Sequence, residues 1–103
     1  MKLIQKLSEE IEDELKGAKC YVKMALEYKS EYPDLAKTLY NISTQEMEHM
    51  KMLHDCVVDI IKEYREDHGE PPADMLAVYE YLHKQQIDKA AYIRTLQSMY
   101  KEG

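Results

Sequence analysis

Apolar residues recur along this chain at alternating steps of three and four, the spacing of one face of a helix. The first run reads Ile4, Leu7, Ile11, then Glu14, then Ala18, Tyr21, Ala25 and Tyr28. It predicts a helix from about residue 2 to about residue 30. Pro33 is poor inside a helix and well suited to the first turn of the next. The second run, Leu35, Leu39, Ile42, Glu46, His49, Leu53, Cys56 and Ile60, predicts a helix from 33 to about 67. The stretch His68-Gly69-Glu70-Pro71-Pro72 stops it. A third helix is predicted over 73–101, with Leu76, Tyr79, Leu82, His83, Gln86, Ala90, Ile93 and Tyr100 on its inner face.

Connections this short make successive helices antiparallel neighbours. The expectation is a single all-α domain, a three-helix up-down-up chain. The first hairpin folds about residue 31 or 32, so residue numbers summing to about 63 share a level. Residue 14 then faces 49, and 17 faces 46. Glu14, Glu46 and His49 thereby meet where packing calls for leucine. A charge buried there needs compensation, and a metal ion is the simplest source of it.

Two carboxylates and one imidazole suit iron or manganese and lack the thiolates of a structural zinc site. One hairpin carries half of a four-helix dinuclear set, which takes four carboxylates and two imidazoles. Glu80-Tyr81-Leu82-His83 offers a second Glu-x-x-His. It falls about ten residues, roughly 15 Å, from the required level, so His83 reads more simply as a hydrogen-bonded core histidine. Two-fold pairing of two hairpins supplies the complement instead. The alternatives are a site completed within one chain by Glu80 and His83, a mononuclear site, and no metal at all.

Composition adds exclusions. Of 103 residues, 20 are acidic and 14 are Lys or Arg, a formal charge of −6 that argues against nonspecific attraction to nucleic acid or anionic membranes. No long apolar run predicts a membrane span or secretory leader. Cys20 and Cys56 are too few for a disulfide scaffold and fit a reducing cytoplasm. Cys56, on the apolar run, reads as a small core residue, and the methionines read as packing and interface material.

Glu14 followed by Ala18 and Tyr21, with Glu46-Met47-Glu48-His49 on the next helix, resembles the ferritin-like superfamily, within it the rubrerythrin branch. The resemblance covers residues 1–66. It implies Glu14 and His49 as terminal iron ligands and Glu46 as the bridging one. It also implies two ions per dimer, with ferroxidase or peroxide-reducing activity and an external electron donor. Tyr21 would relay an electron or hydrogen-bond a ligand. Beyond residue 66 the family has a long crossover and two further helices; here a short Gly-Glu-Pro-Pro turn leads to one. A four-cysteine rubredoxin module is missing as well. The half-bundle is thus similar to the encapsulated ferritins in needing a dimer to complete its site. Two rivals remain: a metal-free helical structural or interaction protein, and an iron-storage protein without turnover.

Overall fold

The computed structural model describes residues 2–103. Three helices follow one another: α1 (Lys2–Tyr28), α2 (Pro33–His68) and α3 (Ala73–Glu102). They run up, down and up, with no strand among the described residues. The molecule is a rod of 55 × 19 × 18 Å, as a 36-residue α2 at 1.5 Å per residue requires.

The chain turns where its chemistry directs. The Tyr32 N–H donates to Tyr28 O at 2.8 Å, the Ala36 N–H donates to Tyr32 O at 2.9 Å, and Pro33 opens α2. Gly69 ends it at φ 77°, a left-handed conformation that favours glycine, with its N–H on Arg65 O at 3.0 Å. Pro71 is buried, and α3 begins directly after Pro72.

Helix α1 is the spine. One side of it meets α2 along most of its length, and α3 packs chiefly on α1 and scarcely touches α2. The main core combines Ile11, Leu15, Ala18 and Val22 of α1, Met47 of α2, and Ala90, Ile93 and Leu96 of α3. A second cluster of Ala25, Ala36 and Leu39 carries Tyr21, Tyr40 and Tyr100. The last two rings stack at 4.6 Å. Polar pairs set the parallel register of α1 and α3: Gln86 Nε2 donates to Ser8 Oγ at 3.0 Å, and Lys89 Nζ to Glu12 Oε2 at 2.6 Å.

The expected buried strip of α2 is displaced by one position. The buried residues are Ala36, Leu39, Ser43 and Met47. Leu35 is 47% exposed, and His49 and Cys56 are exposed too, so Cys56 is not a core residue. On α1, Leu15 and Val22 join Ile4, Ile11, Ala18 and Ala25 in the core, while Leu7, Glu14, Tyr21 and Tyr28 are half-buried. The cause is that α1 serves two partners. Its buried strip widens toward α3, and α2 rolls so that its small residues face α1. Of the methionines, Met47 is buried, Met50 and Met75 are half-buried, and Met24, Met52 and Met99 are exposed.

Ser43 ties all three helices together. Its hydroxyl donates to Ala18 O at 2.7 Å and accepts from Gln97 Nε2 at 3.0 Å. Ser43→Ala leaves a buried carbonyl and an amide without this partner, and is expected to cost about 1–2 kcal/mol in urea unfolding. Thr44→Ala, where the hydroxyl bonds only to nearby Asn41 O at 2.8 Å, should stay within about 0.5 kcal/mol.

Candidate functional site

The predicted levels hold. Glu46 of α2 lies against Gly17 of α1, and His49 Nδ1 lies 3.5 Å from Glu14 Oε2. Gly17 is what admits Glu46: a Cβ at position 17 would overlap the Glu46 carboxyl. A glycine inside a helix costs about 1 kcal/mol relative to alanine, so its position opposite a carboxylate has a structural reason. Sequence reasoning passed over Gly17, although the sum of 63 pairs it with residue 46.

The three side chains form a string with Glu14 in the middle. Burial, then a hydrogen bond to Glu14 and the negative charge of Glu14, push the Glu46 carboxyl above its ordinary 4.5, while His49 pulls it the other way. Two acidic side chains this close disfavour ionisation of both at once.

Where the string lies differs from expectation. It is not enclosed in the interior of the single chain: the His49 side chain is 59% exposed and that of Glu14 26%. With the exposed Leu35 and the half-buried Leu7, Ile42 and Ile60 it marks one flank of the α1–α2 hairpin, its outer flank; Tyr21 and Leu53 pack partly against the core clusters. Helix α3 contacts the other flank of α1, through Ser8 and Glu12 and through Lys19 and Lys23 beneath the Tyr92 ring. Of the apolar run predicted for α2, Leu39 is buried, Ile42, Leu53 and Ile60 are half-buried, and Leu35 is exposed.

Other predicted residues fall elsewhere. Tyr21 packs against the Ala25–Ala36–Leu39 cluster. Glu80 and His83 do not approach Glu14; both line a groove between α2 and α3. His83 is exposed rather than a core histidine, and its Nε2 meets His54 Nε2 at 3.0 Å. Glu48, His68 and Asp88 are exposed. Sequence reasoning gave His54 no role, although counting levels from the second turn pairs it approximately with His83.

Among the described residues of one chain, no group of three or more His, Cys, Asp and Glu side chains is disposed to hold a metal ion. The oxygen and nitrogen donors of Glu14, Glu46 and His49 match iron or manganese in kind, but a single chain does not present them around a common point. What one chain presents here is two neighbouring carboxyl groups beside an imidazole, one of them harder to ionise than usual.

Gly17→Ala should displace the Glu46 carboxyl and return its pKa toward 4.5, read by NMR titration of the side-chain carboxyl carbon, with helix stability unchanged or improved. The pH dependence has a definite sign. A carboxyl with a raised folded pKa contributes its full stability below the unfolded value of 4.5 and loses it as pH rises through the folded value. Glu46→Gln, which cannot ionise, should therefore be more stable than the parent at neutral pH without metal, by up to about 1 kcal/mol given the partial exposure. That advantage should vanish near pH 4 in urea unfolding.

Comparison with protein-family models, with curated proteins and with solved structures gave no match for this chain.

Proposed function

We propose that this chain is a helical association protein that pairs with a second copy through the outer flank of its α1–α2 hairpin. The Glu14–Glu46–His49 string fixes the register of that pairing. The supporting observation is the string itself, set at one level among the exposed Leu35 and the half-buried Leu7, Ile42 and Ile60, which belong to neither core cluster of the chain. Two-fold pairing joins such a strip to its own copy and completes a four-helix core. Polar groups enclosed by that contact favour one register over its slips, at a cost in stability.

A second reading rests on the same pairing and on donor chemistry. Two copies bring four carboxylates and two imidazoles to one interface, the complement of a four-helix dinuclear centre. Glu14, Glu46 and His49 from each copy would hold two iron or manganese ions, with both carboxyl groups ionised. Two such ions supply paired electrons to dioxygen or peroxide, or oxidise iron(II) taken as substrate; an iron store without turnover uses the same donors. Tyr21, packed two turns from Glu14, has no reacting role in the metal-free reading.

Pairing makes thermal stability depend on protein concentration. A tenfold increase is worth about 1.4 kcal/mol to a two-chain equilibrium, so the melting temperature should rise with concentration. Ile42→Glu should abolish the rise, whereas Ile87→Glu, on an exposed position of α3, should preserve it. Loss in both variants, or in neither, contradicts the assigned face.

Elemental analysis after anaerobic iron(II) or manganese(II) loading separates the two readings. A metal-free register pin predicts no retained metal and a melting temperature indifferent to chelator. One retained ion per chain, removed by Glu46→Ala and lost to chelator with a fall in stability, establishes the dinuclear reading instead.

A further inference from the structure

The far end of the molecule carries a second pair of coordinating side chains. Beyond the level of Glu46, α3 diverges from α2 and leaves a groove of about 510 Å³, floored by Ile4 and Ile11 of α1. At its rim one imidazole comes from each wall. His54 of α2 and His83 of α3 bring their Nε2 atoms to 3.0 Å. The His54 side chain is 33% exposed and His83 is exposed, so solutes reach both nitrogens.

A hydrogen bond between neutral rings satisfies this distance only if the donor N–H points along the line to the acceptor. The ring centroids are 4.8 Å apart and the planes are inclined by 33°. Nitrogens 3.0 Å apart that met head-on would hold the centroids farther apart. The rings are therefore not collinear, and an ion beside the line between the two Nε2 atoms would lie within reach of both nitrogens. Metal–imidazole bonds of about 2.0–2.1 Å from nitrogens at this spacing enclose about 91–97° at the metal. That is the right angle of tetragonal or octahedral coordination, the preference of Ni²⁺ and Cu²⁺, rather than the wider tetrahedral angle of Zn²⁺. Asp55 Oδ1 lies 3.9 Å from His54 Nδ1. Its negative charge favours a proton on Nδ1 and leaves Nε2 free to coordinate.

We propose that His54 and His83 form a two-imidazole clamp for a divalent transition-metal ion of the Ni²⁺ or Cu²⁺ type, with water in the remaining positions. The ion ties the first half of α3 to α2, where the two helices otherwise scarcely touch. The clamp is independent of the Glu14–Glu46–His49 string. That string lies on the opposite flank of the hairpin and offers mainly carboxylate oxygen.

Calorimetric titration of the full chain with Ni²⁺, on protein carrying no polyhistidine tag, tests the proposal. One Ni²⁺ per chain is expected, with a rise in melting temperature. His54→Ala and His83→Ala should each weaken binding at least tenfold and remove the rise, and His83→Gln, which retains side-chain bulk, should do the same. His49→Ala should bind as the parent does. With Cu²⁺, electron paramagnetic resonance should show two coordinated imidazole nitrogens in the parent and one in each single-histidine variant. Absence of saturable binding, binding undiminished by His54→Ala and His83→Ala, or loss caused by His49→Ala would overturn the clamp.

Discussion

How close α1 and α2 can come is set by small side chains. Interhelical distance follows the residues at the contact, and here these are Gly17, Ala18, Ala25, Ala36 and Ser43. Four of the five are buried. Their proximity lets the Ser43 hydroxyl reach the backbone of α1 at Ala18 O. One turn along, Gly17 makes the room in which Glu46 lies down beside Glu14. Register, buried polar contacts and the acidic string are thus consequences of one packing line. A larger residue at Ala18, Ala25 or Ala36, each fully buried, would separate the helices, whereas one at Gly17 would displace the Glu46 carboxyl.

The same line divides the hairpin into two flanks of different character. One flank of α1 is consumed by α3 through Ala90, Ile93 and Leu96, with Gln86 and Lys89 bonding across. The other keeps an apolar strip broken only by ligand-type side chains. A monomeric rod gains little by leaving Leu35 exposed and Ile42 half-exposed beside a pair of carboxyl groups. A two-chain core gives each of them a partner, and gives the polar groups a reason to occupy that depth. The proposed association and the metal-binding alternative would draw on the same face.

Helix bounds, helix order and the level of each residue were legible in the sequence. Pro33, Gly69 and the Pro71-Pro72 pair punctuate the chain, and short turns leave one antiparallel register. Glu14 beside His49 and residue 17 beside Glu46 follow from counting alone. Helix rotation was not legible. Both α1 and α2 carry two adjacent strips, one of large apolar residues and one of smaller ones. Hydrophobic periodicity favours the large strip containing Leu35, Ile42 and Ile60, while close packing selects the strip containing Ala36, Ser43 and Met47. Serine and alanine weigh little on a hydropathy pattern and heavily in a helix contact. The His54–His83 meeting was hidden for a different reason. Its level follows from the second turn, but whether the rings touch depends on how far α3 leans away from α2.

The central claim is that the outer flank of the α1–α2 hairpin is covered by a second copy of the chain. Sedimentation equilibrium of the unmodified protein at micromolar concentration addresses it most directly. The account predicts the mass of two chains, falling toward one only on dilution; the mass of a single chain throughout the accessible concentration range would contradict it.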